Sequence, residues 1–224
     1  MDAGRLLVFE GAEGAGKSTQ IVRLAELLRA RDVPHLVVRE PGGTAVGEQI
    51  RRLVLDPAQE MDAATEALLF IASRAEHVVR VVRPALQKGL LVIADRFFLS
   101  TYAYQIAGRG LPEEGIRAAN ALATGGLVPD LTLLLRHRAS DGLARADRRG
   151  ARDRMERADD AFHERVAAAF EQFGATAWQR RHPECGPIVA VDAAGTPDEV
   201  FEQLMVTLGE RWPETFAVFR GSDR

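Results

Sequence analysis

Short apolar runs recur along the chain and alternate with longer stretches whose apolar residues repeat every three or four positions. Leu6–Phe9, His35–Val38, Leu90–Ala94, Leu131–Leu135 and Ile188–Val191 are runs of strand length. After the first run, Ile21, Leu24, Ala25 and Leu28 fall on one helical face, and Pro34 with the Asp32-Val33 turn separates that helix from the next strand. The alternation predicts an α/β protein, a five-stranded parallel sheet with helices on both faces. A long helix is expected from Thr65 toward Lys88, with Pro84 kinking its last turn and Gly89 ending it. Thr196-Pro197-Asp198-Glu199 is a capping sequence with Pro at the first helical position. On the helix it opens, Val200, Leu204, Val206 and Leu208 are expected to pack on the sheet. No repeat or linker divides the chain, so one domain over 1–212 is expected, with a flexible tail over 213–224.

Between the first strand and first helix lies Gly11-Ala12-Glu13-Gly14-Ala15-Gly16-Lys17-Ser18, a complete G-x-x-x-x-G-K-[ST] phosphate loop. Such a loop turns backbone N–H groups onto polyphosphate oxygens, while Lys17 reaches the β/γ-phosphates and the Ser18 hydroxyl sits on Mg²⁺. Strand, loop, helix is the order the mechanism needs. Of 29 basic residues only Lys17 and Lys88 are lysines, so an arginine-biased chain still places a compact ammonium among the phosphates.

Bulk properties narrow the rest. A net charge of −3 over 224 residues gives no general electrostatic case for nucleic acid or an anionic membrane. There is no apolar stretch long enough to span a bilayer and no signal-peptide pattern at the start. The single Cys185 excludes an internal disulfide. A cytoplasmic protein is the simplest reading.

Other segments point to the reaction. Leu90–Ala94 runs into Asp95-Arg96; a carboxylate at a strand's C-terminal end suits Mg²⁺ or its waters, and the arginine can grip a second phosphate. Arg39-Glu40-Pro41-Gly42-Gly43-Thr44 follows a strand, and Thr44 can cap a helix from Ala45. Phe70 and Arg74 share a helix face, so one can stack on a base while the other bonds its carbonyl. Residues 136–157 are rich in arginine and poor in apolar anchors, as expected for a lid closing over phosphates.

Together these segments, with Ser100-Thr101, Ala103-Tyr104-Gln105, Gly108-Arg109-Gly110, Pro129-Asp130-Leu131-Thr132 and Asp153-Arg154-Met155-Glu156, resemble the bacterial thymidylate kinases over residues 5–208. The resemblance implies the three-layer phosphate-loop kinase fold with a short arginine-rich lid near 145–157, and transfer of the ATP γ-phosphoryl group to dTMP. It implies that ATP is held by Gly11 to Ser18, Thr19, Arg145 and Ala193, with Mg²⁺ at Ser18 and Asp95. Lys17, Arg96, Arg149 and Arg154 would carry catalysis. The acceptor would meet Glu13, Arg39, Phe70, Arg74, Arg96, Ser100, Thr101, Tyr104 and Gln105, with Phe70 stacked on thymine, Arg74 on its O4, and Tyr104 crowding a ribose 2′-hydroxyl. It further implies a homodimer packed through helices, with the Val78–Val82 neighbourhood contributing.

Four positions depart from the family pattern. Phe97 and Phe98 stand where Tyr or His is usual, removing a polar group from the expected pocket wall; Arg136 replaces an Asp, and Ala158 an acid. Rival readings are a deoxynucleoside or other deoxynucleotide kinase on the same fold, and a pseudokinase that binds nucleotide without turnover. A GTPase switch would need a guanine-reading N-K-x-D, which the chain lacks.

Overall fold

The computed structural model describes residues 4–136 and 153–216. Five strands, β1 (Arg5–Glu10), β2 (His35–Arg39), β3 (Leu91–Asp95), β4 (Leu131–Arg136) and β5 (Ile188–Asp192), form one sheet in the order β2-β3-β1-β4-β5. All pairings are parallel. Along β1, Leu6 and Val8 enter the core on one face while Leu7 and Phe9 enter the core on the other, as the two-residue strand period requires. The second face is covered by α1 (Lys17–Ala30), through Ile21, Leu24 and Leu28, and by α9 (Pro197–Arg211), through Val200, Leu204 and Leu208. The opposite face holds the aromatic cluster of Phe97, Phe98, Tyr102, Phe162, Phe170 and Phe173. This is the expected three-layer α/β arrangement.

Every strand closes on a charged residue, and parallel pairing brings Glu10, Arg39, Asp95, Arg136 and Asp192 to one sheet edge. Ligands of open parallel sheets bind outside that edge.

Some expectations are corrected. The long helix starts at Ala63, with Asp62 accepting from Ala64 N–H as its cap, and runs as α3 (Ala63–His77) into a π-helical turn at Val78–Val82 and then α4 (Arg83–Gln87). The π turn stands immediately before Pro84: Arg83 N–H bonds Val78 C=O, one residue further back than in an α-helix, which absorbs the bonding mismatch that proline imposes. Within that turn Val78 and Val82 belong to the core and only Val79 is largely exposed among the valines. On α9 Val206 is also exposed, because it lies about 200° around the helix from both Leu204 and Leu208. The first residues of the expected tail are ordered: Pro213–Phe216 make α10, with Trp212 and Phe216 buried, while 217–224 lie outside the described residues. The Arg5 guanidinium covers the Trp212 ring at 5.3 Å and pairs with Glu214.

The remaining helices are α2 (Ala45–Leu55), α5 (Phe98–Thr101) continuing as a π-helical segment Tyr102–Gly108, α6 (Glu113–Thr124), α7 (Asp160–Phe173) and α8 (Thr176–Arg181). The expected caps hold: Thr44 Oγ1 accepts from Gly47 N–H, and Thr196 and Glu199 form a reciprocal capping box. No helix among the described residues is long and apolar enough to cross a membrane.

Candidate active site

The loop between β1 and α1 needs its glycines. Gly11, Gly14 and Gly16 all have positive φ, a region L side chains avoid, and a Cβ on Gly11 would lie 2.5 Å from Leu135 C=O. Lys17 Nζ donates to the carbonyls of Gly11 (2.7 Å) and Ala12 (3.0 Å), folded back over the loop. Burial, first, and the nearby Arg96 charge lower its pKa to about 8. Ser18 Oγ donates to Asp95 Oδ2 at 3.2 Å, so loop hydroxyl and strand-end carboxylate adjoin. A hydroxyl beside a single carboxylate suits Mg²⁺, which keeps waters and phosphate oxygens as its other ligands.

Opposite the loop stands Arg96, held at φ 74°. Its Nη2 donates to Glu13 Oε2 at 2.6 Å and its Nη1 to Ser100 Oγ at 2.9 Å, with the guanidinium 5.2 Å over the Tyr104 ring. Burial works against this charge, but Tyr104 and the carboxylates of Glu13, Asp95 and Glu10 outweigh it and hold the guanidinium more firmly protonated than usual. Tyr104 Oη donates to the same Glu13 oxygen at 3.0 Å. Burial, first, and the Glu13 carboxylate push the phenol up against the opposing pull of Arg96. Beneath them Glu10, fully buried, accepts from Phe97 N–H (2.7 Å), Ser100 N–H (3.0 Å) and Ser100 Oγ (2.7 Å). A carboxylate at the N-terminus of α5 satisfies donors that the helix cannot.

These residues open onto a cavity that Glu13, Phe70, Arg74, Arg96, Ser100, Thr101, Tyr104 and Gln105 all line. Eight of the nine acceptor residues implied by the resemblance therefore share one wall system. Arg39 is the exception: its side chain is 56% exposed and pairs with Glu48 at 3.2 Å. Glu48 also accepts from Gly43 N–H, the main cause of its lowered pKa, with Arg39 adding to it. Arg51, Leu55, Glu40, Pro41, Asp153 and Met155 complete the lining, and sequence reasoning missed them as site residues. Arg51 lies on α2 and donates to Pro41 C=O at 3.0 Å; no motif marks it. The Glu40–Pro41 bond is cis.

Arg74 is 3% exposed and more committed than a free base-reading arginine. Nε donates to Glu40 (2.7 Å), Nη1 to Thr101 Oγ1 (2.9 Å) and Asn120 Oδ1 (2.6 Å), and Nη2 to Phe97 C=O (2.7 Å). Of five guanidinium hydrogens this leaves one, on Nη2. Phe97 and Phe98 do not form the pocket wall as expected. Both rings are buried in the core, packed edge to face, with the Arg74 guanidinium 5.1 and 5.6 Å from their centroids. The change at these positions is therefore taken up under Arg74. Arg136 points outward and pairs with Glu171 on α7; nothing in the structure explains Ala158.

On the lid side, Arg145, Arg148, Arg149 and Arg152 lie outside the described residues. Arg154 donates from Nε to Val54 C=O and pairs through Nη1 with Glu66, each at 2.8 Å, so it is docked against α2 and α3. Thr19 is exposed on the first turn of α1. Ala193 follows β5 at the charged edge and donates its N–H to Arg136 C=O at 2.7 Å.

A phosphate loop feeding a central parallel strand, with a second cationic site and a cavity across the crevice, defines a phosphate-loop kinase fold built to hold two phosphorylated ligands. The thymidylate kinase family model matches residues 9–180. The chain is 44% identical to the thymidylate kinase of Deinococcus radiodurans over 211 residues, covering 94% of this chain and 99% of that one. It is 47% identical to that of Pseudomonas fluorescens over 202 residues, covering 90% and 93%, and 41% identical to that of Carboxydothermus hydrogenoformans over 201 residues, covering 90% and 95%. The chain belongs to the thymidylate kinase family.

Proposed function

We propose that the protein transfers the γ-phosphoryl group of ATP to the phosphate of dTMP, giving dTDP. The observation that carries this is the meeting of Glu13, Arg96 and Tyr104: a phosphate-loop side chain joins the wall of the base cavity, so donor and acceptor sites adjoin. The acceptor phosphate is already anionic and needs no strong general base. The difficulty is repulsion between two polyanions, which the loop N–H groups, Lys17 and Arg96 offset, together with the charge of a loose transition state. Ser18 and Asp95 would hold Mg²⁺, which would supply further neutralisation of the donor's phosphate charge. Arg39 and Arg51 stand beside the Pro41–Thr44 turn and are suited to the acceptor phosphate. Lid residues Arg145 and Arg149 supply further positive charge to the donor, and Arg154 anchors the returning chain.

Phe70 stacks on the base, and the remaining Nη2 hydrogen of Arg74 serves its O4. The protein works in the cytoplasm as a homodimer. The exposed Leu68, Val79 and Leu122 on α3, the π turn and α6 support that pairing, since large apolar side chains exposed on adjoining helices favour burial against a second copy. ADP release measured with dTMP and with thymidine tests the reading: turnover is expected with dTMP alone. Turnover with thymidine would favour a nucleoside kinase, and nucleotide binding without dTDP formation a pseudokinase.

A further inference from the structure

The carboxylate of Glu66 on α3 is buried and receives donors from three residues on two segments of the chain. Oε1 accepts from Gln105 Nε2 (3.1 Å) and Arg109 Nε (3.2 Å); Oε2 accepts from Arg109 Nη2 and pairs with Arg154 Nη1, both at 2.8 Å. A carboxylate shared by two guanidinium groups can only accept, so the Gln105 amide must turn its NH₂ toward Glu66. That fixes which end of the amide is left over. The Gln105 carbonyl oxygen has no hydrogen bond among the described residues, and the side chain lines the acceptor cavity.

The same cavity contains Arg74, which can only donate. Among the cavity's polar groups the Thr101 hydroxyl can donate or accept and so favours neither base, while Arg74 offers one donor and Gln105 one acceptor. Thymine and uracil present a carbonyl O4 beside an N3–H, which complements both. Cytosine presents an amino group beside an unprotonated N3, which opposes both. An amide free to rotate could serve either base.

We propose that Glu66 is a positioning residue that locks the Gln105 amide with its oxygen toward the base, and so makes the cavity reject cytosine. Glu66 touches no substrate; it acts through Gln105. The proposal rests on the dTMP reading above, and wild-type turnover with dTMP checks that reading separately.

The test is the ratio of kcat/KM for dTMP to that for dCMP in wild type, in Glu66→Gln, and in Glu66→Gln combined with Gln105→Glu. Glu66→Gln is expected to lower the ratio by about tenfold or more, because a site that hydrogen-bonds its substrate discriminates through those bonds. The loss should appear mainly as a raised KM for dTMP, with a smaller change in kcat. The double variant exchanges amide and carboxylate. The amide introduced on α3 then donates, while the second oxygen of the carboxylate introduced on the cavity wall still accepts from N3–H. Its ratio is expected to return toward wild type. An unchanged ratio in the single variant overturns the proposal. So does equal loss on both acceptors without recovery in the double variant, the pattern of a merely structural carboxylate. Should Glu66→Gln fail to fold, the double variant decides: a retained ratio supports the proposal and a lost one overturns it.

Discussion

The Glu13 carboxylate, in the middle of the phosphate loop, lies 2.6 Å from the Arg96 guanidinium at the end of the neighbouring strand. This contact spans 83 residues of sequence and ties the phosphate loop to the wall of the cavity. Tyr104 joins the same carboxylate oxygen, so the three side chains form one hydrogen-bonded group.

Tyr104 is placed to test that coupling. Tyr104→Phe removes the hydrogen bond to Glu13 but keeps the ring, and kcat/KM for dTMP is expected to fall by about fivefold, the worth of one modest hydrogen bond. Preference for deoxyribose should persist in Tyr104→Phe and collapse in Tyr104→Ala, where the ring is gone. Rates with dUMP and UMP measure it; an unchanged preference in Tyr104→Ala counts against the ring as the 2′-hydroxyl filter.

Lys17→Ala is expected to lower kcat by roughly 10²–10³-fold at saturating ATP, the range for losing one charged stabiliser of a transition state. Single-turnover rates distinguish this from weakened binding. Near-normal turnover would remove Lys17 from the mechanism.

Lys17 also predicts a pH effect. With its pKa lowered to about 8 by burial and then by Arg96, the free protein loses this ammonium as pH rises through that value. Polyanionic ATP favours the charged form, so kcat/KM for ATP should decline above that pH, and ATP binding just above it should take up a proton. Titration calorimetry in two buffers of different ionisation enthalpy reads the uptake; none at all would contradict the assignment. Between about 8 and the ordinary lysine value of 10.5 the unfolded chain holds a proton that the folded chain lacks. Stability from this group therefore rises with pH across that window.

Asp95→Asn keeps the shape beside Ser18 but removes the charge. The Mg²⁺ concentration needed for half-maximal rate should rise by about 10–100-fold, the usual effect of disturbing a metal site's supporting groups. A magnesium titration of initial rate measures it, and an unshifted midpoint would place the ion elsewhere.

Glu10→Ala strips partners from Phe97 N–H, Ser100 N–H and Ser100 Oγ. Each buried orphan costs about 1–3 kcal/mol, so destabilisation of about 3 kcal/mol or more is expected. For a chain of this size that is a fall in Tm of roughly 6–12 °C, readable by thermal unfolding. A shift of less than about 2 °C would show that water replaces the carboxylate.

Features built from neighbouring residues were legible in the sequence. The phosphate loop needs glycines at fixed offsets, the capping box needs Thr196 and Glu199 three positions apart, and β1 needs an unbroken apolar run. Arg51 was missed because nothing near it in the chain marks it; α2 alone turns it toward the cavity. The buried partners of Arg74 were missed for a related reason. Glu40, Thr101 and Asn120 lie 34, 27 and 46 residues away, and an arginine on an apolar helix face announces no particular partner. Phe97 and Phe98 were misplaced because the sequence shows their type but not which way they point, and the positive φ at Arg96 turns the chain just before them.

By itself the sequence determined the layers, the order of strand and helix, the phosphate loop and the family, all carried by local periodicity and by motifs of fixed spacing. Only the tertiary structure decided which charges meet. Glu13 joins Arg96, Glu66 gathers Gln105, Arg109 and Arg154, and the chain closes its core with Phe216. The reason is physical: a buried charge must find a partner wherever the fold brings one within about 3 Å, and that distance is set by packing the whole sheet and its helices.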